Sequence, residues 1–98
     1  MRESLYQLDL IKRIRDRFPG CVILKNDPAF FQGIPDIIIL YEDRWAMLEV
    51  KIRPTAPTRP NQTYFVDKFN EMSFAAFINP NNEEEVLHAL QSAFGVTG

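Results

Sequence analysis

Three charged side chains stand at the ends of two strongly apolar segments in the middle of this 98-residue chain. Asp36 opens the first segment, residues 37–40, and Glu49 and Lys51 follow the second, residues 45–48. Strands this apolar are usually buried on both faces, and a buried charge is costly unless it is paired or holds a metal ion. Two carboxylates and an ammonium placed in this way predict a site that does chemistry with a cation.

The turn between the two segments decides whether the carboxylates meet. If Glu42 and Asp43 are the loop of a β-hairpin, Asp36 lies directly opposite Glu49 on the same face, with Cβ atoms about 5 Å apart. A four-residue loop centred at the same point keeps this register, whereas an odd-length loop or a bulge shifts it by one residue. Like charges that face each other repel. Lys51 shares the face but carries only one positive charge, so a divalent cation with oxygen ligands, such as Mg²⁺, is predicted between the carboxylates.

A purely structural interpretation of the same residues stays open. Asp36 then caps a turn after Pro35, and Glu49 pairs with Lys51 or with an arginine at a strand end. For an isolated strand that carries one acidic residue, this interpretation is the usual one. The matched register and the lysine that follows favour the metal site.

Apolar periodicity and turn residues predict the elements that must position these side chains. The first helix is indicated by apolar residues at three-residue spacing: Leu5, Leu8, Ile11 and Ile14. Pro19-Gly20 ends this helix, and Pro60 suits the first turn of the second helix. The predicted helices span residues 3–17, 60–71 and 83–94, and the predicted strands span residues 21–25, 35–41, 44–51 and 73–78. The order αβββαβα predicts one α/β domain over residues 1–98.

The overall composition excludes several classes of function. Apolar residues make up 46% of the chain and the net charge is −2, so the totals do not indicate a nucleic-acid binder. No run of about 18 apolar residues exists that would span a membrane, and residues 1–6 lack the apolar core of a signal peptide. Cys21 is the only cysteine, which excludes an internal disulfide and a cysteine-cluster zinc site. We expect a cytoplasmic protein in a reducing compartment, with no membrane contact and no small-molecule cofactor.

The motif residues resemble those of a nuclease superfamily. Pro35-Asp36 followed by Glu49-Val50-Lys51 is similar to the PD-(D/E)XK motif of the restriction-endonuclease-like nucleases. That superfamily has an αβββαβ core with a central mixed four-stranded sheet flanked by helices, to which residues 83–94 would add a C-terminal helix. With the form Gly33-Ile34-Pro35-Asp36, Gln62 and Glu3, the chain resembles the stand-alone, phage-type VRR-NUC family over residues 3–79. More distantly it resembles the archaeal-type Holliday junction resolvases, and the phage-type form implies a bacterial host cell.

The resemblance implies a set of metal ligands. Asp36 and Glu49 would hold Mg²⁺, for which Mn²⁺ would substitute, and the backbone carbonyl of Val50 would be a third ligand. Glu3 would approach from the first helix, either as a ligand or through a metal-bound water. An acidic residue is also favourable in any first helical turn, so Glu3 has a simpler explanation as well.

The resemblance also implies a catalytic set in which Lys51 and Gln62 join the two carboxylates. Lys51 would activate the attacking water and offset charge on the phosphate, and Gln62 would support the site from the second helix. Gln62 precedes Phe65 by three residues and Phe69 by seven, so it shares their inward face. A simple polar residue at a helix start is the alternative for Gln62. The implied reaction is hydrolysis of a DNA phosphodiester without a covalent intermediate.

Binding of DNA requires cationic side chains despite the acidic total. Arg53 and Arg59 flank the motif in sequence and are the strongest candidates, whereas a solvated helix face explains each cation of the first helix equally well. Phe30-Phe31 would wedge against bases at a branch point, although packing under the loop is the better-supported explanation. The predicted DNA-binding residues are Arg53, Arg59, Lys12, Arg13 and Lys68.

Three functions are compatible with this pattern. The first is a structure-selective endonuclease for branched double-stranded DNA, most specifically a Holliday junction resolvase that acts as a two-fold homodimer because a junction is cut on two strands. The second is a monomeric nickase or flap nuclease. The third is a DNA-binding subunit with a vestigial site, against which the intact Asp36, Glu49 and Lys51 argue. For the dimer we expect uncovered apolar surface near the hairpin tip, at Tyr41 and Trp45, or along the third helix.

Overall fold

The computed structural model describes residues 2–27, 29 and 32–96, so the predicted role of Phe30 and Phe31 lies outside the described residues. The described chain follows the order αβββαβα, which confirms the α/β prediction. The helices are α1 (Glu3–Arg17), α2 (Pro60–Met72) and α3 (Glu83–Phe94), and the strands are β1 (Val22–Lys25), β2 (Ile37–Tyr41), β3 (Arg44–Val50) and β4 (Phe74–Ile78). Within this part of the chain, no helix is long and apolar enough to cross a membrane.

The strands of the described chain form one mixed sheet in the order β1-β2-β3-β4. β1 pairs with β2 and β2 with β3 in antiparallel fashion, whereas β3 and β4 are parallel. Parallel neighbours cannot be joined by a tight turn, so α2 serves as the crossover between β3 and β4. This is the mixed four-stranded sheet that was expected.

The hairpin of β2 and β3 closes with the two-residue loop 42–43, as the sequence predicts. The first loop residue takes a φ of 56°, the left-handed conformation that tight hairpin turns require. The register pairs Ile37 with Leu48. Continued one residue beyond the ladder, this register places Asp36 opposite Glu49, on the face that the hairpin argument predicts.

α1 and α3 cover one face of the sheet and form the main core with it. The β2 and β3 residues on this face are fully buried: Ile37, Ile39, Ala46, Leu48 and Val50. Near the hairpin tip, the Tyr41 ring stacks on Phe94 with centroids 5.5 Å apart and meets Phe18 edge-on at 5.8 Å. The core therefore extends from the carboxylate end of the strands to their turn.

The buried stripe of α1 differs from the predicted one. Leu5 and Leu8 are 54% and 53% exposed, whereas the residues facing the core are Tyr6, Gln7, Leu10, Ile11 and Ile14. A helical turn takes about 3.6 residues, so strict three-residue spacing drifts around the helix and the prediction holds only at Ile11 and Ile14. A glutamine, Gln7, consequently lies on the buried face.

α2 covers only part of the opposite face of the sheet. It packs mainly against β3 and β4. There the Phe69 ring meets the Trp45 ring edge-on, with centroids 6.2 Å apart. The part of this face that belongs to β1 and β2 lies to the side of the helix.

The uncovered apolar surface lies on β1 and β2. Val22, Leu24 and Leu40 are 52%, 48% and 39% exposed, on the same sheet face as the carboxylates. Leu40 lies near the hairpin tip, where it pairs with Trp45, so the predicted location is right for this residue. The prediction is wrong for Tyr41, Trp45 and the third helix. Tyr41 and Trp45 pack against aromatic rings of the helices, and the apolar stripe of α3 is buried.

Candidate active site

Asp36 and Glu49 come together where β2 begins and β3 ends. Asp36 Oδ2 accepts a hydrogen bond from the backbone N–H of Val50 at 2.9 Å, which holds this carboxylate against the end of β3. The backbone carbonyl of Asp36 accepts from the N–H of Asn26, also at 2.9 Å, which ties the same residue to the end of β1. Glu49 is only 4% exposed. Two acidic groups thus share a largely dry position at the sheet edge.

Glu49 is difficult to ionise at this position. Burial, the negative charge of Asp36 and a hydrogen bond with Asp36 raise the pKa of Glu49 to about 8, although the nearby Lys51 ammonium opposes the shift. One ammonium therefore does not balance the carboxylates around it. A further positive charge placed between Asp36 and Glu49 would favour the ionised form of Glu49 and reverse the shift.

Lys51 is held by three oxygen atoms. Its Nζ lies 3.9 Å from Glu49 Oε2. It donates hydrogen bonds to Gln62 Oε1 at 3.0 Å and to the carbonyl of Pro57 at 2.9 Å. The sequence predicts Glu49 beside Lys51 and, through the resemblance, Gln62 in the same site. It does not predict Pro57, because a loop carbonyl leaves no pattern in the sequence.

Gln62 joins the acidic and the basic group of the site. Its Nε2 donates to Glu49 Oε2 at 3.1 Å, and its Oε1 accepts from Lys51. The same Oε1 accepts from the backbone N–H of Arg59 at 3.0 Å, just before α2 begins. Gln62 is the third residue of α2, so the start of this helix delivers the carboxamide to the end of β3.

Glu3 begins α1 and faces the same cluster from a greater distance. Burial and the charge of Asp36 raise the pKa of Glu3, while Lys51 lowers it, so the three groups are within electrostatic range. Among the described residues, no three acidic, histidine or cysteine side chains converge closely enough to hold an ion together. The close side-chain ligands are therefore the Asp36–Glu49 pair, with Glu3 further out.

The donor set of this pair fits Mg²⁺. In proteins, Mg²⁺ is usually bound by one or two carboxylates and keeps several of its waters. Burial and the charge of Asp36 oppose the ionisation of Glu49, and Lys51 does not offset them, so a bound cation would let both carboxyl groups carry their charge. Asp36, Glu49 and the carbonyl of Val50 would hold the ion.

A glycine turn brings Asp36 to the site. Gly33 takes a φ of +90°, and a Cβ there would lie 2.7 Å from Asn61 Nδ2 and 3.1 Å from the Phe65 ring. A side chain at this position would force Asn61 to shift, so glycine lets this backbone lie against the start of α2. The same contact links the loop that carries Asp36 to the helix that carries Gln62.

All five predicted DNA-binding cations are exposed. Arg53 and Arg59 lie on the segment between β3 and α2, next to Lys51 and Gln62. Lys12 and Lys68 lie on the outer sides of α1 and α2. Their contact with DNA stays a prediction.

Arg13 also forms contacts within the protein. It forms a double hydrogen bond with Glu83, from Nε to Oε2 at 2.6 Å and from Nη2 to Oε1 at 2.9 Å. Tyr6 donates its hydroxyl to Glu83 Oε1 at 2.8 Å, and Arg17 pairs with Glu84. These contacts tie α1 to the acidic first turn of α3, and contact of Arg13 with DNA stays a prediction.

A surface groove of about 460 Å³ adjoins these ion pairs between α1 and α3. None of its lining residues belongs to the carboxylate site, and Asp16, Glu83 and Glu84 outnumber Arg13 and Arg17 along it. The groove therefore offers no binding site for a phosphate.

No family model, curated protein or solved structure matches this chain. The description of this chain therefore rests on its fold and its site. The fold is α/β with a mixed sheet, and the site is a carboxylate pair in contact with a lysine and a glutamine. The resemblance to the VRR-NUC nucleases rests on the motif residues.

Proposed function

We propose that this chain is a metal-dependent endonuclease that hydrolyses phosphodiester bonds of DNA. The observation that carries the proposal is the buried Glu49 opposite Asp36, with Lys51 and Gln62 in contact with it. A structural ion pair would balance its charges, whereas here the carboxylates outnumber the ammonium. Two acidic groups beside a single lysine, one of them buried, support metal-assisted hydrolysis of a phosphate ester.

Each residue of the site has its own task in this reaction. Asp36, Glu49 and the Val50 carbonyl would hold a Mg²⁺ ion, which would lower the pKa of water and neutralise charge on the phosphate. Lys51 places a point charge where the phosphate and the attacking water meet. Gln62 orients the carboxylate of Glu49 through Nε2 and keeps Lys51 beside it through Oε1.

The specific activity that we propose is resolution of Holliday junctions by a homodimer. Cutting two strands of a junction symmetrically suits a two-fold arrangement of two sites. Val22, Leu24 and Leu40 offer exposed apolar surface on the sheet face of the carboxylates, where a second copy would bury it. The exposed Arg53 and Arg59 supply phosphate contacts beside the site despite the net charge of −2.

Cleavage of matched DNA substrates tests this proposal. End-labelled four-way junction, flap and linear duplex of related sequence are incubated with the protein in Mg²⁺ or Mn²⁺, with chelator as the blank. Paired symmetric cuts in the junction are the expected result. Cuts in the flap or in one duplex strand would instead indicate a nickase or flap nuclease. Binding without cleavage in either metal would indicate a DNA-binding subunit with a vestigial site and overturn the proposal.

Light scattering at micromolar concentration tests the homodimer separately. A dimer that cuts the junction symmetrically is expected. A protein that remains monomeric and still makes paired cuts would refute the homodimer and leave the nuclease in place.

A further inference from the structure

Gln7 is a buried polar residue that the proposed reaction does not yet use. It lies on the inward face of α1 and is 8% exposed. Its Oε1 is buried and meets no hydrogen-bond donor among the described residues. A buried acceptor left without a donor destabilises a fold, and native structures retain few of them. The carboxamide therefore requires an explanation that packing does not give.

The position of Gln7 on α1 relates it to the carboxylate site through Glu3. It follows Glu3 by four residues, so the two side chains lie one above the other on the same helix face. Helical side chains lean towards the N-terminus, which carries the carboxamide over the turn that holds Glu3. Glu3 in turn lies within electrostatic range of Asp36 and Lys51. On the other side of Gln7, the next buried residue of the stripe is the apolar Leu10.

The chemistry of the carbonyl oxygen limits what can satisfy it. Oε1 only accepts hydrogen bonds, and the ionised carboxylates of the site and the oxygens of a DNA phosphate only accept as well. A water molecule bound to a cation is a strong donor, and Mg²⁺ keeps several such waters when carboxylates hold it. Lys51 is a donor too, but its ammonium is already directed at Pro57, Gln62 and Glu49. The hydrated ion is thus the remaining group of the site whose hydrogen-bonding character is complementary to Gln7.

We infer that Gln7 is a positioning residue of the metal site, whose Oε1 accepts a hydrogen bond from a water of the cation held at Asp36 and Glu49. The inference rests on the proposed function and adds a residue to its site. Together with Glu3, Gln7 would make α1 the element that orients the waters of the ion, while β2 and β3 supply its direct ligands. Partners of this kind typically change metal affinity by about 10- to 100-fold.

The test compares Mg²⁺ affinity with stability in the absence of metal. Calorimetry gives the Kd for Mg²⁺, and thermal melting in chelator gives the midpoint for the wild-type protein and Gln7→Leu. We expect Gln7→Leu to weaken Mg²⁺ binding by about 10-fold or more and to raise the melting midpoint. The midpoint rises because leucine suits an apolar stripe and removes an acceptor that lacks a donor. The matched control is Gln91→Leu, a half-buried glutamine on α3, which should leave the Kd unchanged.

Gln7→Glu tests the same idea in the opposite direction. Glutamate keeps an acceptor oxygen at the same reach, so Mg²⁺ binding is retained or tightened. It also adds a carboxyl group near Glu3 and Asp36, so the melting midpoint in chelator falls. Tighter Mg²⁺ binding together with a lower melting midpoint in chelator would indicate that the side chain at position 7 contacts the hydrated ion.

Two results would overturn the inference. A wild-type Kd in Gln7→Leu, whichever way its midpoint moves, would show that the carboxamide does not serve the ion. Weaker Mg²⁺ binding together with a lower midpoint would show that Gln7 stabilises the fold.

If the wild-type protein cleaves DNA in Mg²⁺ and the Kd of Gln7→Leu is unchanged, this inference alone fails. If the wild-type protein binds neither Mg²⁺ nor Mn²⁺, the proposed function fails and this inference falls with it.

Discussion

Gln62 Nε2 donates a hydrogen bond to Glu49 Oε2 at 3.1 Å, and this contact joins the first turn of α2 to the end of β3. The same carboxamide accepts a hydrogen bond from Lys51 at 3.0 Å. Because an amide donates through nitrogen and accepts through oxygen, it can satisfy an acid and an ammonium at once. A single side chain thus sets the orientation of the buried carboxylate relative to the lysine.

Gln62→Ala should therefore slow cleavage by about 10- to 100-fold, because it removes the partner that orients a metal ligand. Gln62→Glu should be impaired as well, since it loses the donor and sets another carboxylate against Glu49. Single-turnover cleavage of the junction measures both effects. The exposed neighbour Thr63 provides the control, and Thr63→Ala should cleave like the wild type. A wild-type rate in Gln62→Ala would show that the contact is incidental.

Asp36→Asn and Glu49→Gln should each abolish cleavage while DNA binding is kept or tightened. Both changes preserve shape and remove a charged metal ligand, and both reduce the repulsion of phosphate. Cleavage assays and fluorescence anisotropy with labelled junction measure the two properties. Matched changes at exposed acidic residues, Asp43→Asn in the hairpin loop and Glu85→Gln on α3, should leave both unchanged. Either site variant cleaving at the wild-type rate would refute the assignment.

Lys51→Ala should lose most of the cleavage activity and keep Mg²⁺ binding. The ammonium acts on water and phosphate and is not a ligand, and removing it lessens repulsion of the cation. Calorimetry with Mg²⁺ and the cleavage assay separate the two properties, and Lys68→Ala on the outer side of α2 is the matched control for the calorimetry. If Lys51→Ala loses as much metal affinity as Asp36→Asn, Lys51 belongs to a structural salt bridge.

The hairpin shows why part of this site is predictable from the sequence. A two-residue loop at 42–43 leaves one register for two apolar strands, and that register alone sets Asp36 opposite Glu49. Local periodicity and turn chemistry are enough for this step, because the strands are adjacent in the chain. The phase of Gln62 on its helix likewise follows from Phe65 and Phe69.

Other parts of the site depend on packing that is not local in sequence. Packing against the sheet decides which face of α1 is buried. Gln7 is therefore buried, whereas the three-residue spacing of the sequence predicts Leu5 and Leu8 on the buried face. The contact of Lys51 with the Pro57 carbonyl depends on the path of an irregular loop. The exposed apolar surface on β1 and β2 depends on which strands α2 covers. The sequence of a single strand does not show which helix covers it.

The contact between α1 and α3 should make stability depend on pH. Burial opposes the charge of Glu83, but hydrogen bonds from Arg13 and Tyr6 and the charges of Arg13 and Arg17 lower its pKa below the ordinary value of 4.5. A carboxyl group whose pKa is lowered on folding stabilises the fold above its unfolded-state pKa, and this contribution is lost as the pH falls through the folded-state pKa.

Glu83→Gln should therefore melt several degrees below the wild type near neutral pH, with the difference shrinking below pH 4.5. Thermal melting across this range is the measurement. Glu85→Gln, on the same helix turn, should follow the wild type, and a difference for Glu83→Gln that persists in acid would contradict the prediction.

Gly33→Ala should damage the site as well as the fold. Alanine at a φ of +90° is strained, by about 1–2 kcal/mol, and its Cβ would press on Asn61 Nδ2 from 2.7 Å. Gly33 precedes Asp36 by three residues and Asn61 precedes Gln62 by one, so the displacement reaches both sides of the site. We expect a lower melting midpoint and a loss of cleavage activity larger than the loss of folded protein explains.

Gly20→Ala supplies the control for this change, because Gly20 has nearly the same φ, +89°, and a Cβ there meets no described atom within 4 Å. It carries the same backbone strain without the contact at α2. Melting midpoints and single-turnover rates at a temperature where both variants are folded compare them. Gly20→Ala should lose stability and cleave like the wild type, whereas Gly33→Ala should be slower. Equal rates in the two variants would mean that the turn at Gly33 contributes only backbone conformation and that Asp36 reaches Glu49 without the support of α2.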